Sequence, residues 1–424
     1  MTDGTMAAAE RHLLQALRLD PRHAQTYNQL GSLYYRQGRI PEALSYLSKA
    51  LRLDPACWKA HYNTAHCYAQ QNNMEQAAQH YAAVVARQPS LSHAQFNLGL
   101  CYVALEDFVQ AEQPLLIAFK QDPDLVEAAR QLGHISIALG KTEQAIEMFQ
   151  QVLEQSQTPH QAEAHHNLAV LYLGSKNPEA ALKHFEAALQ QNPDNQTAQH
   201  LCAALKGEAA PCTAPLLYVE QLFDQYAPYY NEHLKQTLHY TLPSQLRNAV
   251  ARCLTGNLKA GRVLDLGCGT GLCGIVFRDL ALELVGIDLS AKMIAQATRL
   301  DTYEKLIQGD YQPYLADPSL QSFDIIVACD VLVYRGDLQD LFETLPNALA
   351  PGGLFVFSLE TTTEVDSYQL RSSGRFAHAI AYIEKFANAH NLSIVLEEEA
   401  ILRSDQQRSI TGRLIVLKKA MITS

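Results

Sequence analysis

Apolar side chains in the first half of the chain follow a helical spacing that starts again every 34 residues. The period is clearest at alanine, which stands at positions 43, 77, 111 and 145, and at proline, which stands at 55, 89 and 123. Each period holds two helical stretches separated by a turn, so it predicts a pair of packed helices. Repeated helix pairs stack into an α-solenoid, in which each pair packs on its neighbours.

The repeat has a recognisable start and end. Five full periods run from about residue 24 to 195, with a slip of two residues after Gln157. Residues 9 to 21 match only the second helix of an earlier period, so the chain opens with half a repeat. We expect residues 196–206 to form a helix that caps the apolar end of the stack.

The second half carries a series of short apolar runs, which favours a mostly parallel sheet. The runs predicted as strands one to five stand at 263–266, 283–290, 307–310, 322–331 and 354–360. Two further runs, at 392–402 and 410–418, predict a closing hairpin that forms strands six and seven. The expected fold is a Rossmann-like α/β domain with a seven-stranded, mostly parallel sheet and an antiparallel edge strand.

Length and pattern together predict two domains. A chain of 424 residues is long enough for each half to bury its own core. We expect the repeat domain at 1–206, a short linker at 207–215 and the α/β domain at 216–424. A fragment from about Leu216 to Ser424 should then fold and bind its ligand without the repeats.

A glycine-rich turn, VLDLGCGTGLCG at 263–274, follows the first predicted strand. Asp265 stands near the end of that strand, and the glycines at 267, 269 and 271 open the next helix. Glycine lets a ligand lie against bare backbone. Dinucleotide sites use the spacing G-x-G-x-x-G, and counted from Gly267, the first glycine of the turn, Leu272 stands where that pattern needs its last glycine.

A second acidic residue, Asp288, stands near the end of the second predicted strand. Neighbouring parallel strands end at one edge of the sheet, so Asp288 faces the glycine turn, where it can accept both hydroxyl protons of a ribose. Asp288 or Ser290 can also cap the following helix. The two roles are compatible.

The D-x-G-x-G-x-G turn resembles motif I of the class I S-adenosylmethionine-dependent methyltransferases, and the later landmarks IQGD at 307–310 and PGG at 351–353 stand in that family's order. The resemblance spans about residues 216–420 and implies S-adenosylmethionine as the cofactor. In the family a residue like Asp310 accepts from the adenine amino group, and the strand around Cys329 borders the methyl group. The implied cofactor-binding residues are Asp265, Gly267, Cys268, Gly269, Gly271, Asp288, Leu289, Met293, Gly309, Asp310, Tyr311 and Asp330.

Residues 218–234 place aromatic and apolar side chains at helical spacing. They include an F-D-x-x-A-x-x-Y segment similar to one that covers the cofactor in many small-molecule methyltransferases. The resemblance makes Tyr226 and Tyr230 candidate lid residues. For Phe223 and Leu234 we favour the packing face of an extra helix.

The candidate catalytic residues stand after strands four and five. Methyl transfer is an in-line displacement, so positioning does much of the work and only some acceptors need a base. The polar residues at the ends of these strands are Asp330, Tyr334 and Glu360. In the stretch YQLRSSGRFAHAIAYI at 368–383, Arg371 or Arg375 can clamp an acceptor carboxylate and His378 can act as base. The alternative is a solvated loop with one helix-capping histidine.

The 34-residue unit resembles the tetratricopeptide repeat, and the whole chain is similar to a bacterial subfamily of predicted methyltransferases fused to such repeats. An amide side chain precedes the Leu-Gly-type pair in all five repeats, beside the concave face: Gln29, Asn63, Asn97, Gln131 and Asn167. A row of carboxamides can bind an extended peptide, and the O-linked N-acetylglucosamine transferases have a similar asparagine ladder. The alternative is a set of ordinary solvated amides.

Composition limits the partners. The formal net charge is −11, without clusters of Lys and Arg, which argues against nucleic acid. No apolar run reaches the roughly 18 residues of a membrane span, and the N-terminus lacks a signal-peptide core, so we expect a cytoplasmic protein without membrane association. The nine cysteines form no C-x-x-C motif, and no spacing predicts a metal site.

The sequence therefore predicts an S-adenosylmethionine-dependent methyltransferase whose repeats recruit or present the acceptor, which can be a protein. One alternative is an inactive scaffold that acts through its repeats. Another is a methyltransferase of a small metabolite, and a third keeps the cofactor for other chemistry.

Overall fold

The computed structural model describes residues 3–155, 160–208, 212–227, 240–254, 261–405 and 408–421. Contacts divide the chain into two compact units, Met1–Gln191 and Asn192–Ser424. The division falls before the helix that we expected to cap the repeats, so this helix belongs to the second unit by its contacts. The structure thus places the boundary after residue 191 rather than after residue 206.

The first unit consists of helices that pack in consecutive pairs. Its described residues form a single helix followed by five pairs, as the periodicity predicts: α1 (Asp3–Leu19); α2 (Ala24–Arg36) with α3 (Ile40–Leu53); α4 (Trp58–Gln70) with α5 (Met74–Val85); α6 (Ser92–Ala104) with α7 (Phe108–Gln121); α8 (Val126–Ala138) with α9 (Thr142–Glu154); and α10 (Gln161–Gly174) with α11 (Pro178–Gln191).

A glycine on the first helix of a pair makes room for a large side chain on the second. A Cβ at Gly31 would lie 2.4 Å from Cγ of Leu47, and a Cβ at Gly99 would lie 2.4 Å from Cγ of Leu115. The periodic alanines at 43, 77, 111 and 145 are fully buried. The sequence period is therefore a packing period.

The turn inside each pair contains one residue with left-handed backbone. Gly38, Asn72, Glu106 and Gly140 have φ values of 74°, 58°, 57° and 70° at a spacing of 34 residues. Lys176, with φ 59°, stands two residues late, which is the slip seen in the sequence. Glu and Lys adopt left-handed backbone at a cost in conformational free energy. The turn is therefore determined by the packing of the helix pair and not by the type of residue at this position.

The second unit is built on one sheet. Its described residues form nine strands: β1 (Gly261–Leu266), β2 (Ala281–Asp288), β3 (Lys305–Gln308), β4 (Phe323–Ala328), β5 (Leu349–Thr361), β6 (Tyr368–Leu370), β7 (Phe376–His378), β8 (Leu392–Asp405) and β9 (Arg408–Lys419). Strands β3, β2, β1, β4 and β5 lie in that order and are parallel. Strand β9 adds antiparallel to β5, and β8 pairs with β9.

Helices cover both faces of this sheet. They are α12 (Gln196–Lys206), α13 (Leu216–Tyr226), α14 (Leu242–Cys253), α15 (Leu272–Phe277), α16 (Ala291–Thr298), α17 (Tyr311–Leu315), α18 (Gln339–Ala348) and α19 (Ile380–Ala389), with a 3₁₀ turn at Leu332–Tyr334. Alternate residues of a strand enter opposite cores: Leu264 packs with α18 and α19, and Val263 packs with α14 and α15. The predicted fold class is confirmed.

The strand count differs from the prediction of seven. Tyr368–Leu370 and Phe376–His378 form an additional hairpin, and β7 runs parallel to the end of β5. These strands were not predicted because each contributes few apolar residues and a polar turn separates them. In the structure Leu370 and Phe376 are buried, and Gly374 turns the chain with φ 77°.

Candidate cofactor and acceptor site

A pocket opens at the carboxyl ends of β1, β2 and β4 in the second unit. It is the position at which an open parallel sheet binds its ligand. The pocket encloses about 740 Å³ together with its mouth. Its lining comprises Thr213, Ala214, Leu216, Val219, Phe223, Gly267, Gly269, Ile287, Asp288, Leu289, Gly309, Asp310, Tyr311, Cys329, Asp330, Val331, Tyr334 and Arg335.

The glycines of the turn have different functions. Gly269, with φ 54°, has no atom within 4 Å of the place where a Cβ would stand, and it faces the pocket. Gly267 also lines the pocket, and a Cβ there would lie 2.5 Å from Cγ2 of Val331. Gly271 is outside the lining. A Cβ at this position would lie 2.9 Å from Leu300. Gly271 is therefore a packing glycine rather than a cofactor contact. Cys268, predicted among the cofactor residues, is buried beside the turn.

Tyr303 holds the glycine turn and was not predicted. Its hydroxyl donates to Oδ2 of Asp265 at 2.7 Å and accepts from the amide of Gly274 at 3.0 Å. A Cβ at Gly274 would lie 2.4 Å from this ring, and one at Gly286 would lie 2.9 Å from it. The glycines at these positions could have indicated a large side chain nearby, but sequence does not say which one.

Asp265, predicted as a cofactor residue, is a fully buried carboxylate at the end of β1 that lies behind the glycine turn, outside the pocket lining. Its Oδ1 atom has no hydrogen-bond partner among the described residues. Burial raises the pKa of Asp265 to about 7, against the hydrogen bond from Tyr303, and the charge of Asp288 adds to the rise. A positively charged ligand nearby would stabilise the charged form of this side chain.

Asp288 fixes the glycine turn through its carboxylate. Oδ2 accepts from the amide of Gly269 and Oδ1 accepts from the amide of Ser290, both at 2.8 Å. The cap of α16 is Ser290, whose Oγ accepts from the amide of Met293 at 3.1 Å. Each Asp288 oxygen accepts one bond, so each keeps capacity for a ligand hydroxyl.

Two residues beside Asp288 were predicted as cofactor contacts, and the structure separates them. Leu289 lines the pocket. The Met293 side chain is fully buried, packs in α16 and lies outside the lining.

Asp310 is the N-cap of α17 and forms a part-buried ion pair. Nη2 of Arg335 donates to Oδ1 of Asp310 at 2.7 Å, and the guanidinium carbon of Arg335 lies 4.7 Å from the centre of the Tyr311 ring. Gly309, Asp310 and Tyr311 all line the pocket, as predicted. Arg335 was missed, although it stands in the segment after β4; no local signal distinguishes it from a surface arginine.

Asp330 lies at the end of β4 with left-handed backbone, φ 58°. Its amide donates to Oγ of Ser358 at 2.8 Å, and its carboxylate accepts from Arg403 at 3.0 Å and from Arg375 at 3.4 Å. Arg403 also pairs with Glu360. Strain of this kind is retained at sites where the surrounding bonds over-determine the backbone. The two arginines hold Asp330 as a charged wall of the pocket.

Tyr334 and Arg375 were predicted on the acceptor side. Tyr334 lines the pocket, and its buried hydroxyl has no partner among the described residues. The guanidinium carbon of Arg375 lies 5.4 Å from the centre of the Tyr334 ring. Both residues lie beside Asp330, but Arg375 is outside the pocket lining and pairs with the Asp330 carboxylate at 3.4 Å, so its role as a clamp for an acceptor carboxylate stays a prediction.

His378, the predicted base, lies elsewhere. It is fully buried in β7, its Nε2 donates to the carbonyl of Gly336 at 3.0 Å, and it is not part of the pocket lining. Burial lowers the pKa of His378 to about 4. A base must reach the proton that it removes, so the geometry does not favour His378 in this role. Arg371 pairs with the exposed carboxylate of Glu364 instead of facing the pocket.

Helix α13 covers part of the pocket. Val219 and Phe223 line it, and Phe223 packs edge to face on Tyr334 with ring centres 5.6 Å apart. Asp224 joins this helix to α16, since its Oδ1 accepts from Oγ of Ser290. Of the predicted lid residues, the Tyr226 side chain and the whole of Tyr230 lie outside the described residues.

In the repeat unit, the predicted amide row is partly engaged within the fold. Nδ2 of Asn63 donates to Oδ1 of Asn28 at 2.8 Å, Nε2 of Gln131 donates to Glu127 at 2.9 Å, and Nδ2 of Asn167 donates to the carbonyl of Glu163 at 3.0 Å. Gln29 and Asn63 line a cavity that encloses about 1420 Å³ together with its mouth, and Lys59, Trp58 and Tyr62 also line it. The Asn97 side chain is part-buried.

The described residues contain no group of three or more His, Cys, Asp and Glu side chains placed to hold a metal ion. None of the described helices combines the length and apolar character that a membrane crossing needs.

Comparison with known proteins identifies both regions. A family model described as a methyltransferase domain matches residues 238–397, and models described as the tetratricopeptide repeat match residues 4–56, 28–92, 75–125 and 136–205. Among solved structures, YrrB, a TPR protein with an unusual peptide-binding site, is 26% identical with a TM-score of 0.42, over 44% of this chain and 96% of YrrB.

The curated relatives match the second region. The malonyl-[acyl-carrier protein] O-methyltransferase of Enterobacter lignolyticus is 30% identical over 183 residues, which are 42% of this chain and 66% of the relative. The ubiquinone biosynthesis O-methyltransferase of Idiomarina loihiensis is 33% identical over 108 residues, which are 24% of this chain and 44% of the relative. The chain thus spans between 44% and 66% of these two relatives. It consists of a tetratricopeptide repeat region, within residues 4–205, and a methyltransferase domain, residues 238–397.

Proposed function

We propose that the second unit transfers a methyl group from S-adenosylmethionine to an oxygen of an acceptor, and that the repeats recruit or present this acceptor. The observation that carries the proposal is the exposed backbone of Gly269. Its amide is held by Asp288, and the space where a Cβ would stand is open to the pocket. A ligand can therefore lie directly on the glycine turn.

The charges around the pocket fit this cofactor. When bound, S-adenosylmethionine supplies a methyl group activated by a sulfonium. Asp265 has a buried oxygen without a partner in the described residues, and such an acceptor costs about 1–3 kcal/mol. Among the described residues, the Asp288 carboxylate accepts from backbone amides and pairs with no cationic side chain. Two carboxylates without cationic partners favour a positively charged ligand.

Three residues would hold the remainder of the cofactor. Asp288 would accept the ribose hydroxyl protons. Asp310 uses Oδ1 for Arg335, which leaves Oδ2 to accept from the adenine amino group. Tyr311 lines the same wall, and Arg335 stacks on its ring. Arg335 would thus fix both Asp310 and Tyr311 before the cofactor arrives.

The acceptor side lies at the end of β4. Asp330 forms a fixed charged wall, and the unpartnered hydroxyl of Tyr334 can orient an acceptor oxygen. The pocket lining includes carboxylates but no histidine among the described residues. An acceptor that ionises without a strong base, such as a carboxylic acid or an acidic phenol, fits this lining best. The names of both relatives include O-methyltransferase, which also favours an oxygen acceptor.

The repeats would contribute by binding an extended segment of a protein acceptor. The cavity at Gln29 and Asn63 offers amide groups beside the aromatic rings of Trp58 and Tyr62. Amides can pair with a peptide backbone, and aromatic rings can cover its side chains.

The test is incubation of the full chain with isotopically labelled S-adenosylmethionine and a cell extract. We expect label in a protein fraction, and label in small metabolites would identify the alternative acceptor class. The matched control is Asp288→Ala, which should weaken cofactor binding by roughly 2–4 kcal/mol because charge-assisted bonds are worth about 1.5–3 kcal/mol each and do not add fully. Absence of transferred label with the parent chain would favour the scaffold function, and release of another product would favour other chemistry.

A further inference from the structure

Helix α12 packs on the methyltransferase unit through one buried face. His200 and Leu201 on this face are buried, and Ala204 packs in a cluster with Tyr334, Leu370 and Phe376. The cluster joins the helix to the β6–β7 hairpin and to the 3₁₀ turn after β4. Helix α12 therefore contacts the two segments that carry the acceptor-side residues.

His200 makes the specific bond of this contact. Its Nε2 lies 2.9 Å from the carbonyl oxygen of Gly374. A carbonyl only accepts, so Nε2 carries the proton. Burial lowers the pKa of His200, which keeps the ring neutral. The hydrogen bond therefore joins two uncharged groups in a buried contact. Loss of either partner would leave the other buried without a hydrogen bond, at the cost of its desolvation free energy.

The acceptor of that bond, Gly374, is the turn residue of the hairpin. A Cβ there would lie 3.0 Å from Cδ2 of Leu201 and 3.2 Å from the hydroxyl of Tyr218. The turn is therefore in close contact with α12 and α13. The next residue is Arg375, whose side chain reaches Asp330 at 3.4 Å and stacks on Tyr334. A shift of the turn would move this guanidinium.

A second contact reaches the same site from residues 212–214. The carbonyl of Cys212 accepts from the amides of Gly336 and Asp337, both at 2.8 Å, and the amide of Ala214 donates to the carbonyl of Tyr334 at 2.9 Å. These bonds hold the segment that carries Tyr334 and Arg335. Thr213 and Ala214 also line the pocket. The expected linker is thus part of the wall of the site.

We infer that α12 and residues 212–214 position the acceptor side of the methyltransferase site, and that His200 is the positioning residue that holds Arg375 through the Gly374 turn. The inference rests on the proposed function and adds to it a role for a helix that the repeat models include. His200 touches neither cofactor nor acceptor. It acts on the reaction through the placement of Arg375 beside Asp330 and Tyr334.

The test uses the full chain with His200→Leu, which removes the donor, and His200→Gln, whose amide can donate at a similar reach. The control is Gln199→Ala on the exposed side of the same helix. Three properties are measured. They are deuterium uptake of residues 371–378, transfer of label from S-adenosylmethionine to the acceptor in cell extract, and cofactor affinity by calorimetry.

We expect His200→Leu to lower label transfer about tenfold or more, since small displacements of a positioning group have effects of this size. Deuterium uptake of the hairpin should rise, cofactor affinity should stay within about twofold, and His200→Gln should recover most of the transfer. Unchanged transfer in His200→Leu would overturn the inference. So would an equal loss in His200→Gln or in cofactor affinity, because both would indicate a general packing role. A parent chain that transfers no label would instead refute the proposed function.

Discussion

The two units assemble their important contacts over different distances along the chain. In the repeats, Gly31 contacts Leu47 and Gly99 contacts Leu115, so both partners belong to one helix pair. In the methyltransferase unit, Asp330 is bound by residues 375 and 403, and His200 is bound by residue 374. The repeats are therefore a local structure, whereas the site depends on long-range placement.

This difference explains where function can be altered. A change in one repeat should act on that repeat and its neighbours, because each unit contacts only the next. A change in the methyltransferase unit should reach the pocket from distant positions in sequence. The predictions below separate these two behaviours.

The largest expected effect comes from truncation. A fragment that starts at Asn192 keeps α12 and the residues 212–214, and it should bind S-adenosylmethionine like the full chain. A fragment that starts at Leu216 lacks Thr213 and Ala214 of the pocket lining, so it should bind far more weakly or fail to fold. Calorimetry and circular dichroism on both fragments decide this. Equal binding by the two would show that the segment before residue 216 is dispensable for the cofactor.

A small change in one repeat should have a local cost. In Gly31→Ala the new methyl group would stand 2.4 Å from Leu47, and overpacking of this kind costs about 1–3 kcal/mol. The matched control is Gly174→Ala, because no atom lies within 4 Å of a Cβ at Gly174. Thermal unfolding should show a lower midpoint for the first variant alone, and cofactor affinity should be unchanged in both. A loss of cofactor affinity in Gly31→Ala would contradict the local character of the repeats.

The pH dependence of cofactor binding should reflect the ionisation of the Asp265 carboxyl group. Its folded pKa of about 7 lies above the ordinary value near 4, so the folded protein holds this proton more tightly than the unfolded chain does. Ionisation of Asp265 thus lowers the stability of the ligand-free protein as pH rises from about 4 to 7. A cationic ligand prefers the ionised form. The dissociation constant should therefore fall as pH rises, by up to about tenfold per pH unit below 7.

Calorimetric titrations between pH 6 and 8 measure this dependence. Asp265→Asn keeps an acceptor for Tyr303 but cannot ionise, and its profile should be flat over the same range. A sloping profile in Asp265→Asn would assign the proton to another group.

The smallest expected effect concerns the amide row. Replacement of Asn63, Asn97 and Asn167 together by Ala should weaken binding of a protein acceptor by about 0.5–1.5 kcal/mol for each lost pair. We expect the lower end, because Asn63 and Asn167 already donate within the fold. Label transfer measured against acceptor concentration checks this, with cofactor affinity as the control. Equal kinetics in variant and parent would refute recruitment through these amides and leave the methyltransferase proposal standing.

The sequence predicted the repeats well because the residues that pack within each helix pair recur at the same positions every 34 residues. The position of α12 could not be read in this way. Its pattern continues the repeats, and contacts distant in sequence, such as the hydrogen bond from His200 to residue 374 and the packing of Ala204, show that it belongs to the second unit.

At the candidate site, the sequence predicted the residues that stand in or next to the glycine turn and at strand ends. It did not predict Tyr303, Arg335 or Arg403, because their roles come from partners distant in sequence. The polar residues near His378 in the sequence suggest a base. In the structure these residues form the turn of a hairpin, and His378 itself lies in a buried strand of that hairpin. Residue type and spacing locate a site, whereas burial decides which of its polar residues face the ligand.

The central claim is that the second unit binds S-adenosylmethionine on the glycine turn. Titration of the full chain with S-adenosylmethionine, S-adenosylhomocysteine and NAD tests it most directly. We predict saturable binding of the first two and none of NAD, because Gly267 is the first residue after β1 and, counted from it, Leu272 stands where the dinucleotide spacing needs its last glycine. Binding of NAD, or no binding of either S-adenosyl compound at pH 8 where Asp265 is ionised, would contradict the claim.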